Sequence, residues 1–463
     1  MRWSVKERLR RHVIPALALP LAALLLAAGP PSSSQSQSKS QVQADGAGPA
    51  PSGADLGRQL MSDFGCPVCH DIGGLQTTVR EEAPDLTFEG ERVKPDWLFD
   101  FLKRPHAIRP GLKARMPDFR LTDEEALAVT EFIATLREKE APPLPRSVHY
   151  SGVISKEYRE AATKLVSKDY LDCFKCHVQG GKTPGGKPQE WAPDLTKVAG
   201  RVNPDWIIRW IQDPPKYQPG TRMPVFFADK ESGPEDILDG DEERQIAALR
   251  DYIMSLGDGG GNSPAYREAK ENYPEVTAAM GRSLMVKLNC IGCHNVATLP
   301  DGKRVGPSLA HEGSRVQRAW LLDFLRNPTV ITPGYDLLGL EARMPNFRLT
   351  KVESEALADY FEQRLVDTAF SRDPVGAPEA RGQLAEQGEW LFEAKECRSC
   401  HRIGNKAGGI GPVLTGARDK LKRGWVYAFI RNPQHFLPST NMPNLKLSED
   451  EARAVGAFLL APQ

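Results

Sequence analysis

The pentapeptide Cys66-Pro-Val-Cys69-His70 decides the interpretation of this chain, because three further segments of the same form follow it. They are Cys173-Phe-Lys-Cys176-His177, Cys290-Ile-Gly-Cys293-His294 and Cys397-Arg-Ser-Cys400-His401. These four Cys-x-x-Cys-His segments contain all eight cysteines of the 463 residues. Their first cysteines are separated by 107, 117 and 107 residues. We therefore interpret the chain as four repeats of one small unit.

Each repeat shows the same order of features around its pentapeptide. Apolar residues spaced by three and four, as in 158–168 and 384–394, predict a short amphipathic helix before it. A Pro-x-Leu follows, and then a helix that begins near a tryptophan and stops before a proline. A Met-Pro dipeptide and a last amphipathic helix with a capping signal complete the unit. The pattern predicts an all-α fold.

The recurring residues occupy matching places in all four repeats. The Pro-x-Leu prolines are Pro84, Pro193, Pro307 and Pro412, the tryptophans are Trp97, Trp206, Trp320 and Trp425, and the Met-Pro methionines are Met116, Met223, Met344 and Met442. The last helices are predicted at 123–137, 241–256, 352–365 and 449–460. Segments 141–155, 258–273 and 371–382 are rich in Pro, Gly and Ser and are predicted to be linkers. We expect domains at 54–145, 146–262, 263–380 and 381–463.

The N-terminus carries a targeting signal. Five basic residues within Met1 to Arg11 precede an apolar stretch from Val13 to Ala28. Residues 1–29 are therefore predicted to be a signal peptide, which is either cleaved or retained as a membrane anchor. Residues 30–53, rich in Ser, Gln and Pro, are expected to form a flexible linker. Both outcomes predict a periplasmic or otherwise extracytoplasmic protein, tethered to the inner membrane if the segment is retained.

Composition excludes two broad classes of protein. The 60 basic and 60 acidic residues give a formal charge of zero, which argues against nucleic-acid binding. Only one apolar run approaches membrane-spanning length, which excludes a polytopic membrane protein.

Cys-x-x-Cys-His has the chemistry of covalent haem attachment. Two thiols at this spacing at the start of a helix can reach two vinyl groups, while the next residue presents its imidazole to the iron. Structural zinc is an alternative, but each repeat lacks a second pair of cysteines. Disulfides within Cys-x-x-Cys are a second alternative, and they leave the four histidines unexplained. We predict four haem groups of the c type, held by Cys66, Cys69, Cys173, Cys176, Cys290, Cys293, Cys397 and Cys400.

The repeated methionine is the candidate for the second axial position of each iron. Methionine usually fills apolar cores, but four of the nine methionines share one Met-Pro context between two helices. His106, His311 and His435 lie at non-equivalent places in the other three repeats, and the second repeat has no histidine after its pentapeptide. The predicted iron ligands are therefore His70, Met116, His177, Met223, His294, Met344, His401 and Met442.

With these motifs the chain from Asp55 to Leu460 resembles four tandem class I cytochrome c domains. The resemblance implies a small all-α unit around one covalent haem in each repeat. It implies the axial pairs His70/Met116, His177/Met223, His294/Met344 and His401/Met442. It also implies that the carbonyls of Pro84, Pro193, Pro307 and Pro412 accept a hydrogen bond from a proximal imidazole.

Iron with both axial positions filled favours electron transfer over catalysis. We expect an electron relay between redox protein partners, with no catalytic residue, and by analogy with related domains a role as a subunit of a membrane oxidase or reductase complex. The alternative is a peroxidase-like haem enzyme with one open coordination position. The first unit has 12 basic and 17 acidic residues and the fourth has 12 and 8. This difference predicts that the two units dock different partners.

Overall fold

The computed structural model describes residues 52–109, 115–138, 143–145, 148–227, 233–257, 262–296, 298–329, 344–370, 381–404, 411–438 and 440–461. The predicted signal or anchor segment 1–29 and nearly all of the 30–53 linker lie outside the described residues. The described part is all-α, as predicted. Its β structure is limited to isolated bridges, and none of its helices is long and apolar enough to cross a membrane.

Helices of the first two repeats follow the predicted order. The first repeat contains α1 (Gly53–Asp63), α2 (Cys66–Cys69), α3 (Val79–Glu82), α4 (Glu89–Arg92), α5 (Pro95–Lys103) and α6 (Asp123–Ala134). The second contains α7 (Lys156–Leu165), α8 (Val198–Arg201), α9 (Pro204–Gln212), α10 (Pro214–Tyr217) and α11 (Glu242–Ser255), with 3-10 turns at Cys173–Lys175, Pro188–Glu190, Leu195–Lys197 and Leu238–Gly240.

The last two repeats continue in the same way. The third contains α12 (Pro264–Asn272), α13 (Ala278–Lys287), α14 (Glu312–Arg315), α15 (Arg318–Arg326) and α16 (Lys351–Arg364), with 3-10 turns at Cys290–Gly292 and Thr368–Phe370. The fourth contains α17 (Arg381–Ala394), α18 (Ala417–Lys420), α19 (Arg423–Arg431), α20 (Pro433–Phe436) and α21 (Glu449–Leu459), with a turn at Cys397–Ser399.

Local sequence signals account for these boundaries. Thr122, Thr350 and Ser448 each form a capping box that starts a last helix. The tryptophan helices α5, α9, α15 and α19 each end two residues before a proline, which cannot continue them. The helices expected before the pentapeptides are also present.

The first and third repeats exchange the helices that directly precede their pentapeptides, α1 and α13. In the second and fourth repeats the first helix packs on the last helix of the same repeat, α7 on α11 and α17 on α21. In contrast, α1 packs on α16 of the third repeat, and α13 packs on α6 of the first. The helix packing of these two repeats therefore crosses between residues 54–145 and 263–380, and their division into domains at these bounds stays a prediction.

Four hydrophobic cores result from this arrangement. The second core and the fourth core are built from the second and fourth repeats alone. Mixed core A combines residues 86–136 of the first repeat with residues 269–296 of the third. Mixed core B combines residues 61–75 of the first repeat with residues 316–365 of the third.

The segment 258–273, expected to be a linker, contains helix α12, and this helix connects the third repeat to the first. Ser263 donates to Asp100 at 2.9 Å, and Tyr266 donates to Glu131 at 3.0 Å. Lys270 Nζ lies 3.2 Å from the Glu131 carboxylate. These polar contacts hold α12 against α5 and α6. The next helix, α13, therefore begins close to α6 and packs on it.

Short antiparallel bridges join neighbouring cores. Val93 pairs with Val202 between mixed core A and the second repeat, and Val316 pairs with Leu421 between mixed core B and the fourth repeat. Asp118 pairs with Asn346, whose backbone groups exchange hydrogen bonds of 2.8 and 2.7 Å. These contacts connect the cores in the order second, mixed A, mixed B, fourth.

Candidate haem sites

Each pentapeptide forms one short helical turn after the helix that precedes it, an α-helical turn at Cys66–Cys69 and 3-10 turns in the other three repeats. The residue before each first cysteine has a positive φ: Gly65 (74°), Asp172 (46°), Asn289 (56°) and Glu396 (58°). This left-handed residue ends the helical path and redirects the chain into the turn. The backbone N–H of each histidine then bonds the carbonyl of the first cysteine, at 2.9 to 3.0 Å. The two cysteines of a pair therefore lie on one turn, beside the imidazole.

All four histidines direct Nδ1 at a proline carbonyl. The distances are 2.9 Å for His70 to Pro307, 2.9 Å for His177 to Pro193, 3.0 Å for His294 to Pro84 and 2.9 Å for His401 to Pro412. Because a carbonyl can only accept, Nδ1 carries the proton. The lone pair on Nε2 is then free to bind iron.

The proline partners of the first and third repeats are exchanged. The resemblance implied an acceptor within the same unit, but His70 uses Pro307 and His294 uses Pro84. The physical reason is the helix exchange, which carries each pentapeptide into the core completed by the other repeat.

Burial shifts the pKa of the imidazoles and thiols toward the neutral forms. It lowers the pKa of His70, His177 and His294 below the ordinary 6.5, against the opposing effect of the proline carbonyl. It raises the pKa of Cys66, Cys290 and Cys293 to about 12 and that of Cys173 to about 11. None of the eight cysteines forms a disulfide. A thioether carries no ionisable group, so covalent attachment of the cysteines is compatible with this buried turn.

The methionines also follow the exchanged cores. Met223 and Met442 pack partly buried against the cores of their own repeats. Met116 packs on mixed core A, which includes Cys290, while Met344 packs on mixed core B, which includes Cys66. The implied pairs His70/Met116 and His294/Met344 are therefore not brought together in one core.

The second repeat has a contact that sequence reasoning missed. Trp210 Nε1 donates a hydrogen bond to the Met223 sulfur at 2.9 Å. The equivalent positions, four residues after the repeated tryptophan, are Phe101, Phe324 and Phe429. Only an indole supplies this donor, so the second methionine has a distinct environment.

A second missed feature is a basic residue five positions before each repeated tryptophan. These residues are Arg92, Arg201, Arg315 and Lys420, and their recurrence is visible in the sequence. They meet in pairs at the bridges between cores. Arg201 stacks on Trp97 at 5.3 Å, Lys420 on Trp320 at 4.7 Å and Arg315 on Trp425 at 5.0 Å.

The paired cations are partly buried and have few anionic partners. Burial, and then the neighbouring Arg92, lower the pKa of Arg201 to about 10. Arg92 and Arg315 each pair with one glutamate, Glu89 and Glu312. The Nε atoms of Arg92, Arg201 and Arg315 are buried without a hydrogen-bond partner. Two cations share one carboxylate in each pair, so a further carboxylate would be stabilised there.

These observations fit haem. Each site offers a pair of thiols on one turn, an imidazole with a free Nε2 and a partly buried thioether. Haem propionates would suit the unpartnered Nε atoms of Arg92, Arg201 and Arg315. Zinc fits less well, because the described residues hold no group of three or more His, Cys, Asp or Glu side chains placed around a metal ion. When bound, haem supplies an iron that changes oxidation state by one electron.

Comparison with family models agrees with this chemistry. Residues 54–137 and 278–364 match the model for cytochrome c, and residues 383–459 match the model described as cytochrome C oxidase, cbb3-type, subunit III. The chain carries cytochrome c domains. Such domains bind covalent haem c and generally act as electron carriers. No curated protein and no solved structure matches the chain.

Proposed function

We propose that the chain is an exported tetrahaem cytochrome that relays electrons between two redox proteins. One observation carries the proposal. All four pentapeptides place their histidine Nδ1 on a proline carbonyl at 2.9 to 3.0 Å, which leaves Nε2 for iron. The second repeat, outside the matched ranges, has the same geometry as the others.

The chain's own residues determine what each haem can do. The cysteine pair would hold the haem covalently, the proline carbonyl fixes the imidazole plane, and the imidazole and the methionine would be the protein ligands of the iron. With both axial positions filled, small molecules have no direct access to iron. This arrangement suits electron transfer rather than peroxidase chemistry.

The partners are proposed to be redox proteins, one of which belongs to a membrane oxidase complex. Support comes from the match of the fourth repeat to a model for a cbb3-type oxidase subunit. Export, with the N-terminal segment either cleaved or retained as an anchor, follows from its sequence. The expectation that the acidic first unit and the basic fourth unit dock different partners stays a prediction.

The test is an optical spectrum of the purified exported protein with haem quantified per chain. We expect four covalent haems, a ferric thioether charge-transfer band and no spectral change when carbon monoxide is added to the reduced protein. Fewer than four haems would contradict the tetrahaem proposal. A carbon monoxide adduct would show an open haem and favour the enzyme alternative.

A further inference from the structure

We propose that two of the haem sites are each assembled from two repeats. The haem attached to Cys66 and Cys69 takes its distal ligand from Met344, and the haem attached to Cys290 and Cys293 takes its distal ligand from Met116. This inference rests on the proposed function, since it assumes that the haems are present. The second and fourth sites keep both ligands within one repeat.

Backbone hydrogen bonds around the histidines support the assembly of the first and third sites from two repeats. In the second repeat Ala192 N–H bonds the Cys176 carbonyl at 2.8 Å, and in the fourth Gly411 N–H bonds the Cys400 carbonyl at 2.9 Å. The corresponding bond to Cys69, at 2.8 Å, comes from Gly306 of the third repeat. In the reverse direction, Leu86 of the first repeat bonds the Asn295 carbonyl at 2.9 Å. The loop that bonds the backbone next to His70 or His294 therefore belongs to the other repeat.

The two exchanged helix pairs, α1 on α16 and α13 on α6, are as closely packed as α17 on α21, a pair that lies within one repeat. A Cβ built on Gly388 would lie 2.0 Å from the Ala454 carbonyl, within the fourth repeat. A Cβ on Gly57 would lie 2.0 Å from Ala356 O, and one on Gly281 would lie 1.8 Å from Ala128 O. Each crossing uses a glycine to bring two backbones together, so the exchanged contacts are specific packing rather than loose association.

The two crossed pentapeptides also contact each other. Asn289 Nδ2 lies 3.4 Å from both the Val68 carbonyl and the Cys69 sulfur. A Cβ on Gly292 would lie 2.2 Å from a Val68 methyl carbon. The attachment points of the first and third haems are therefore adjacent. Together with the bridges at Val93 and Val316, this gives a relay in the order second, third, first, fourth haem.

The decisive experiment releases one distal methionine at a time. Full-length protein carrying Cys66→Ala and Cys69→Ala is treated with iodoacetamide at acidic pH, and alkylated methionines are mapped by peptide mass spectrometry. Iron-bound thioethers are protected from alkylation. We expect three haems, a large gain of alkylation at Met344 and continued protection of Met116.

Two matched variants complete the design. Cys290→Ala with Cys293→Ala should expose Met116 and leave Met344 protected. Cys173→Ala with Cys176→Ala should expose Met223, which calibrates the method because both ligands of that site lie in one repeat. Exposure of Met116 in the first variant, with Met344 protected, would overturn the crossing while leaving the proposed haem count intact.

A second measurement tests the proposal if one variant exposes both Met116 and Met344 to alkylation. A carbodiimide should join Lys270 to Glu131, 3.2 Å apart, in the unmodified haem-loaded protein. Lys395 and Glu451, 3.0 Å apart within the fourth repeat, are the internal control. The 270–131 product in monomeric protein supports the crossing. Its absence beside a strong 395–451 product, or its presence only in a dimer, would overturn an exchange within one chain.

Discussion

Trp210 distinguishes the candidate haem site of the second repeat from the other three proposed sites at the level of one side chain. Its N–H donates to the Met223 sulfur at 2.9 Å, which withdraws electron density from the ligand and disfavours ferric iron. We expect Trp210→Phe to lower the midpoint potential of one haem by roughly 20–60 mV, the one-electron equivalent of a hydrogen bond worth about 0.5–1.5 kcal/mol. Spectroelectrochemical titration measures this shift.

The control for Trp210 lies in the same repeat. Trp191 Nε1 donates to the Gly185 carbonyl at 3.3 Å, so this N–H is not directed at the Met223 sulfur. Trp191→Phe should leave all four potentials unchanged. Equal shifts in the two variants, or a rise in the Trp210 variant, would contradict the sulfur contact as the cause.

Lys420 leads us to predict that the potential of one haem depends on pH. Burial, and then the nearby Arg315, lower its pKa from 10.5 to about 8, while Glu312 acts in the opposite direction. Its ammonium stacks on Trp320, which packs on mixed core B. Loss of a positive charge beside a haem stabilises ferric iron. We therefore expect the potential of one haem to fall as the pH is raised through about 8 or above.

Titration of the potentials against pH checks this expectation in wild type and in Lys420→Arg. Arginine stays protonated throughout this pH range, so in the variant the potential of that haem should no longer fall as the pH is raised. A bound propionate would move the fall to higher pH without changing its sign. A profile that is the same in the two proteins would contradict the role of Lys420.

At the scale of helices, the crossing of α17 and α21 provides a matched pair of substitutions. Gly388→Ala places a methyl group 2.0 Å from the Ala454 carbonyl, whereas Gly456→Ala on α21 meets no atom within 4 Å. We expect the first to destabilise the fourth unit by about 1–3 kcal/mol and the second to stabilise it by up to about 1 kcal/mol. Thermal unfolding followed by helix circular dichroism compares them. A higher melting temperature for Gly388→Ala would contradict the close crossing.

Local signals predict the helices of this chain but not their partners. Capping residues such as Thr122 and Thr350 define the last helices, and both helices continue with an alanine six residues later, Ala128 and Ala356. The first helices present Gly57 and Gly281 to these alanines. Since the two pairs of surfaces are alike, α1 and α13 each fit either last helix. Which pairing forms depends on contacts distant in sequence, above all those of α12.

The candidate haem-site residues can be recognised in the sequence where they repeat as a short motif. The cysteines, histidines and methionines do so, and the basic residues five positions before each tryptophan could have been found in the same way. Trp210 could not, because a single departure from phenylalanine has no meaning until the Met223 sulfur is placed beside it.

On the scale of the whole described chain, the first and third repeats are related by reciprocal contacts around Asp118 and Asn346. Arg120 donates to the Met344 carbonyl at 3.0 Å, and Arg348 donates to the Met116 carbonyl at 3.0 Å. Both arginines have a φ of 52°. Each repeat therefore supports the methionine loop of the other, as expected for an exchange of equivalent parts.

These reciprocal bonds predict a ligand defect in the opposite repeat. Arg120→Ala should loosen Met344, and Arg348→Ala should loosen Met116, because each methionine carbonyl loses its donor. We expect one of the four reduced haems to bind carbon monoxide in each single variant and two in the double variant. Lys446→Ala is the matched control, because Lys446 holds the equivalent position in the fourth repeat with a φ of 49° and an exposed side chain. Carbon monoxide binding equal to that of Lys446→Ala would show that the methionine loops are held by other contacts, whereas the expected pattern would show that the two central sites depend on each other.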